Sequence, residues 1–147
     1  RIKSQLMIQN GVLKVKIGSH FKLETDAKIR VIDGGTLSIG DNCFINCNSY
    51  ITAMGKTTIV NNCLIGPGVM IFDHDHEYRN PNGILEGSVV KGEIFIGNNV
   101  WIGANSVILK GAHINDGSVV AAGSVVNKEI PKRTLFVQKR NSESISI

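Results

Sequence analysis

An aliphatic residue returns at every sixth position along most of this chain. Ile17, Leu23 and Ile29 form one triplet, Ile39, Ile45 and Ile51 a second, and Ile59, Ile65 and Ile71 a third. Ile96, Ile102 and Ile108 follow, then Ile114, Val120 and Val126. Repetition at a short fixed period marks a solenoid, in which each turn buries its apolar row against the next. The step departs from six only between triplets, at Ile29 to Ile39, Ile51 to Ile59 and Ile71 to Ile96. Three hexads therefore make one triangular turn of flat parallel strands, and every insertion leaves by the same edge.

The residue four past each marked one should also point inward. On the first face these are Phe21, Cys43, Cys63, Val100 and Ser118, and on the second Ala27, Ser49, Val69, Ser106 and Ser124. All are small or apolar, as a narrow interior demands, and Cys43 and Cys63 fall in one ladder within it. The first four turns open alike, as GVLKVKIGSH, GTLSIGDN, GKTTIVNN and GEIFIGNN. A glycine, a short strand and a Gly- or Asn-rich corner suit a tight turn with positive φ. The expectation is an all-β single domain over 1–147, with the solenoid at about 8–131 and a tail at 132–147. That tail leaves room for a helix after Ile130 but shows no clear period.

Composition narrows the class. The 147 residues suffice for a continuous core, and a hydrophobic content of 42% argues against wholesale disorder. Aromatic residues are only 5%, while glycine occurs 16 times, which fits many tight turns better than a core of large rings. No apolar run approaches the length of a membrane span, and no secretory signal pattern opens the chain. It begins RIKSQLMI without an initiator methionine, as a fragment would. Three cysteines give no disulfide framework, so a reducing cytoplasm is the expected location. The net charge of +4 gathers near the end, at Lys128, Lys132, Arg133, Lys139 and Arg140. Without interleaved aromatics this favours a phosphorylated ligand over nucleic acid.

One segment breaks the pattern. IFDHDHEYRN, residues 71–80, packs two histidines, two aspartates, a glutamate and an arginine into a chain of otherwise low charge. It opens a long excursion, at about 72–95, for which little regular structure is expected. A hydrophilic loop tip or a metal site would account for its composition, yet loops of this length are usually functional. Of the remaining histidines, His20 holds the corner position that Asn42, Asn62 and Asn99 hold in later turns, so it reads as a turn residue. His113 reads as a surface residue on the insertion edge. Trp101 lies between inward Val100 and inward Ile102, so its ring points outward and asks for a partner.

The repeated hexad resembles the hexapeptide-repeat acyltransferases, and the likeness covers about residues 11–131. Four stretches carry it: IGDNCFINCN, DHDHEYR, IGNNVWIGANSVILKGAHI and AAGSVVNKEIP. Within that superfamily the chain is most similar to the maltose, galactoside and nodulation-factor O-acetyltransferases and to the capsular-polysaccharide O-acetyltransferases. The resemblance implies a left-handed parallel β-helix of about five to six turns. It also implies a homotrimer taking acetyl from acetyl-CoA at clefts between neighbouring solenoids, with no metal required. The family's catalytic histidine maps onto His74 or His76, with His74 favoured because it follows the strand sooner. Asn46 matches the asparagine that positions the acceptor, and Trp101 the family tryptophan. Ala104 corresponds to the pantetheine contact, Ala122 and Gly123 to the A-G-S segment, and Lys128 to the lysine near the nucleotide phosphates. The usual G-x-P-A-[Lys/Arg] continuation is replaced by LFVQKRNSESISI, where Lys139 or Arg140 could supply charge. The N-terminal helical segment of the maltose and galactoside enzymes has no counterpart.

The chemistry expected is direct attack of an acceptor hydroxyl on the thioester, with histidine as base. Asp73, Asp75, Glu77 and Glu86 are the carboxylates that could orient that histidine; Asp73 and Asp75 are also expected at the acceptor. The acceptor class is a sugar or polysaccharide precursor. Alternatives are N-acetyl transfer to an amino sugar, a γ-class carbonic-anhydrase-like zinc site using His74, His76 and His113, and an inactive scaffold.

Overall fold

The computed structural model describes residues 14–139, the backbone of 5–8, and Ser144. Gly11 and Arg140, both singled out above, lie outside the described residues.

Three parallel six-stranded sheets form the walls of a β-solenoid of about six turns, consistent with a left-handed coil. The first face runs from strand Val15–Ile17 through Thr36–Ile39, Lys56–Ile59, Glu93–Ile96 and His113–Ile114 to Glu129–Ile130. The second runs from Lys22–Leu23 through Phe44–Ile45, Leu64–Ile65, Trp101–Ile102 and Val119–Val120 to Leu135–Phe136. The third runs from Gln5–Ile8 through Lys28–Val31, Tyr50–Ala53, Met70–Phe72 and Val107–Leu109 to Val125–Val126. We call the corners first edge (first to second face), second edge (second to third) and third edge (third face to the next turn).

The marked aliphatics stack in register. Ile39, Ile59, Ile96 and Ile114 pair rung on rung, as do Ile45, Ile65, Ile102 and Val120. From Ile29 onward every marked residue is at most 2% exposed. Ile17 and Leu23 depart from the expectation: Ile17 is 39% exposed and Leu23 only half buried. Their strands are the outermost of their sheets, whereas strand Gln5–Ile8 covers the third face alone. The second inward set is enclosed as expected from Cys43 onward, and only Phe21, on that same first turn, is half buried. Cys43 and Cys63 donate their thiols to the carbonyls of Val60 (2.9 Å) and Gly97 (3.0 Å). Contact with Cys43 and burial push the Cys63 thiol well above its ordinary range. The ladder is structural.

Positive φ falls three residues after each marked position at the first two edges. His20, Asn42, Asn62, Asn99, Gly117 and Arg133 hold it at the first edge, and Asp26, Asn48, Gly68, Asn105 and Gly123 at the second. Asn and Asp tolerate this conformation better than other side chains, which explains their abundance at corners. The glycines that open the strands serve another purpose. A Cβ at Gly35 would collide with the Ala53 carbonyl, and one at Gly55 with that of Gly92. Close stacking, not positive φ, excludes side chains there.

The first edge carries a ladder of its own. Asp41 Oδ1 accepts the Ser19 N–H (2.7 Å) and Asn61 Oδ1 the Asp41 N–H (2.8 Å). Asn98 Oδ1 accepts from Asn61 (3.3 Å) and Asp116 Oδ1 from Asn98 (2.8 Å).

Two expectations change. The solenoid continues past residue 131: instead of a helix, strand Leu135–Phe136 pairs with Val119–Val120. The signal was hidden because the step from Val126 to the next inward residue, Ile130, is four rather than six. The insertion at 72–95 also has regular structure. Strand His74–His76 pairs antiparallel with Val89–Lys91, and a 3₁₀ turn at Ile84–Glu86 lies between them.

Candidate functional site

The ribbon leaves the third edge where the period-2 alternation of strand Met70–Phe72 continues. Ile71 points inward, so Asp73, two residues on, points inward too. It is fully enclosed. Its Oδ1 accepts the Met54 N–H (2.8 Å) and its Oδ2 the hydroxyl of Thr57 (3.0 Å), another inward residue two before Ile59. Asp73 therefore does not reach an acceptor, contrary to the sequence expectation. It anchors the root of the ribbon, and its carbonyl also accepts the Gly92 N–H (2.8 Å).

His74 closes over this anchor. Nδ1 lies 3.4 Å from Asp73 Oδ1, and the side chain is 15% exposed. Its ring meets Phe72 edge-on at 6.2 Å, and Phe72 in turn meets Tyr50 at 6.0 Å. His76, two residues along on the same side of the strand, is exposed. Asp75 faces the other way and pairs with Lys110 Nζ at 2.9 Å. Lys110 escaped the sequence reading, since only the fold brings strand Val107–Leu109 beside the ribbon. A shallow groove there is lined by Asp75, His76, Tyr78, Arg79, Val90 and Lys110. Glu77 lines the same groove and its Oε1 accepts the Arg79 N–H, while Glu86 sits in the 3₁₀ turn.

The remaining residues matched by resemblance lie elsewhere. Asn46 is on the second edge, half buried, with Oδ1 accepting the Cys47 N–H (2.7 Å) and its amide nitrogen left to act as donor. Ala104, Ala122 and Gly123 occupy the same edge in later turns. Trp101 projects from the second face, 50% exposed, between Leu64 and Val119 in register. Lys128 returns to the third edge, near the C-terminal end, its Nζ 5.6 Å from the centre of the Phe136 ring. His113 is exposed and stacks on Phe95 at 4.5 Å. Among the described residues, no three His, Cys, Asp or Glu side chains gather as a metal-ligating set. No helix among them is long and apolar enough to cross a membrane.

Apart from Trp101, on the second face, the matched residues divide between two edges of the prism. The ribbon and Lys128 hold the third edge; Asn46, Ala104, Ala122 and Gly123 hold the second. The third face separates them by about 13 Å, the length of a four-residue strand.

Fold and repeat together define a parallel β-helix built from hexapeptides. Residues 93–128 match the bacterial transferase hexapeptide model (six repeats), and 36–72 match the hexapeptide repeat of succinyl-transferase. The chain belongs to the hexapeptide-repeat acyltransferase superfamily. The galactoside O-acetyltransferase of Escherichia coli is 41% identical over 102 residues, 67% of this chain and 48% of that protein. A putative acetyltransferase of Saccharomyces cerevisiae is 37% identical over 102 residues, 69% of this chain and 52% of that protein. Among solved structures, a galactoside acetyltransferase in complex with coenzyme A superposes with a TM-score of 0.73 at 34% identity, covering 82% of this chain and 58% of that one. A Vibrio cholerae hexapeptide-repeat acetyltransferase complexed with acetyl coenzyme A gives 0.61 at 29% identity, covering 90% and 64%. The chain spans about half the length of the curated relatives it matches.

Proposed function

We propose that this chain is the catalytic β-helix of an acetyl-CoA-dependent O-acetyltransferase acting on a sugar hydroxyl. The observation that carries the reading is the His74–His76 strand, rooted in the core by Asp73 and projecting from a family β-helix. Its relatives include a galactoside O-acetyltransferase and an acetyltransferase solved with acetyl coenzyme A.

His76 is the base. His74 is favoured by sequence order alone, but its Nδ1 faces Asp73 and its ring is largely covered, which suits it to hold the strand. His76 is exposed on the ribbon, where an acceptor can reach it. The acceptor hydroxyl gives its proton to the His76 imidazole as its oxygen attacks the thioester carbonyl. The tetrahedral intermediate collapses with cleavage of the C–S bond, and the imidazolium returns the proton to the CoA sulfur. The products are the acetyl ester and CoA. The scheme needs no acyl-enzyme, and Cys43 and Cys63 are buried in the coil.

The division of matched residues between two edges supports a homotrimer. The third edge of one copy would meet the second edge of the next, bringing His76 to Asn46 and Trp101. The donor would run along the C-terminal turns, past Ala104, Ala122 and Gly123, with its phosphates near Lys128. Residues 1–147 would act as a single domain in each copy, and the cytoplasm, where acetyl-CoA is made, is the fitting compartment.

A thiol-release assay with acetyl-CoA and a sugar panel, paired with calorimetry of CoA binding, tests this. His76→Ala should lose turnover by a factor of about 100 or more while keeping CoA affinity. Full activity in His76→Ala, with loss in His74→Ala, would reassign the base. Transfer to amino sugars alone would favour the N-acetyl reading.

A further inference from the structure

On the outer surface of the third face, Arg30, Thr52 and Phe72 stand in register on three successive turns. The His74 ring lies 6.2 Å beyond that of Phe72 on the same side of the chain. Two strand spacings place Arg30 about 10 Å from Phe72, on the N-terminal side of the ribbon. Thr52 faces outward yet is only 4% exposed, so the side chains around it close into a wall rather than a solvated surface. The ribbon flanks this wall, with Lys91 Nζ donating to the Asp33 carbonyl just past Arg30.

Arg30 is chemically unlike any other cation described. One terminal nitrogen donates to the Tyr50 hydroxyl at 3.0 Å, while Nε is buried with no hydrogen-bond partner. Among the described residues no carboxylate pairs with it. Burial pushes the Tyr50 phenol up, but hydrogen bonds with Arg30 and Thr52 and the charges of Arg30 and Lys28 bring it below its ordinary value. Arg30 is half buried, and its stranded Nε–H lowers stability where a carboxylate partner would relieve it. A cation left without a carboxylate partner suits a site that receives an anion.

Its position gives the anion a place in the reaction. On the reading proposed above, the donor occupies the C-terminal turns. The acceptor must then approach His76 from the N-terminal side, where Arg30 and Tyr50 lie. We propose that Arg30, oriented by Tyr50, forms a subsite for a carboxylate carried by the acceptor sugar, so that uronic-acid glycosides are preferred over neutral ones. The planar fork of arginine matches a carboxylate in two parallel hydrogen bonds. Tyr50 engages one terminal nitrogen, which leaves the other to donate to the ligand.

Matched sugars read this without relying on turnover. Calorimetry compares methyl galacturonide with methyl galactoside, and thiol release from acetyl-CoA is measured with the same pair. The uronide should bind about tenfold or more tightly than the galactoside, the margin of one charge-assisted pair. Arg30→Gln should erase that margin, Arg30→Lys should retain part of it, and Tyr50→Phe should narrow it. Equal binding of the two sugars by the wild-type chain overturns the subsite, as does a margin that survives in Arg30→Gln. Sedimentation equilibrium adds a separate outcome. If Arg30→Gln dissociates the assembly while the uronide margin persists, the guanidinium serves a second copy and the proposal falls. A margin lost in Arg30→Gln, with no thiol release from either sugar, upholds the subsite and sinks the acetyl-transfer reading instead.

Discussion

Replacing Asp73 tests the structural logic of the ribbon most directly. Both carboxylate oxygens are committed, to the Met54 N–H at 2.8 Å and the Thr57 hydroxyl at 3.0 Å, and the side chain is wholly enclosed. Asp73→Ala strands both donors in a dry interior at about 1–3 kcal/mol each, for a total of about 2–6 kcal/mol. Asp73→Asn preserves shape: its carbonyl accepts from Met54 and its amide can donate to the Thr57 oxygen, so the loss should be about 1–2 kcal/mol. Thr57→Val removes one of the stranded donors, and the double variant Asp73→Ala/Thr57→Val should be more stable than the sum of the singles by about 1 kcal/mol or more. Urea unfolding followed by far-ultraviolet circular dichroism, at one fixed protein concentration, gives all four values. A loss below about 1 kcal/mol in Asp73→Ala, or strict additivity in the double variant, would mean that water reaches the site and the enclosure argument is wrong.

Three further outcomes follow from the coil. Ile65→Ala, at a fully buried position, should cost about 2–5 kcal/mol, whereas Ile17→Ala, 39% exposed on the first turn, should cost about 1 kcal/mol or less; similar melting losses would contradict the burial gradient. Arg133→Gly, at φ 53, should raise the melting temperature by relieving a left-handed conformation worth about 1 kcal/mol, and a lower value would show that its side chain is needed. The Ser19 N–H and hydroxyl hold Asp41 below the usual carboxylate range; for Asp116 the Asn98 backbone N–H does so against desolvation, helped by the Asn98 side chain and Lys132. Their contribution is present above the ordinary value of about 4 and is lost as pH falls through the lower folded values, so a melting series from pH 6 to 2 should decline less in Asp41→Asn/Asp116→Asn than in the parent.

The coil was legible because its information is local and repeated. The six-residue step located the inward aliphatics, the offset of four located the serines and cysteines of the interior, and the corner position of His20 gave a turn residue that indeed has φ 56. What escaped depends on contacts between distant residues. The pairing of His74–His76 with Val89–Lys91 is a long-range contact: Asn80-Pro81 and Asn82-Gly83 mark a turn in the stretch between them without saying which flanking residues pair across it. Strand Leu135–Phe136 followed a shortened step. Asp73 was grouped with its acidic neighbours, although the same period-2 alternation that buried Ile71 also turned Asp73 and Thr57 toward each other. Division of the site between two edges could not be read along the chain, because it is a property of the cross-section.

The side-chain ladder of the first edge gives the solenoid a direction. Asp41, Asn61, Asn98 and Asp116 each reach back to an amide of the turn before, so every turn is completed by one synthesised later. At the next ladder position Lys132 stands instead, a donor that can only pair with Asp116 at 3.8 Å, and the series stops. Shortening this chain from its two ends is therefore not equivalent. Within this side-chain ladder, loss of a C-terminal turn leaves an amide without its acceptor, while loss of an N-terminal turn frees a side-chain oxygen that water readily serves. A nascent chain emerging N-terminus first would accordingly hold each turn provisionally until its successor arrives.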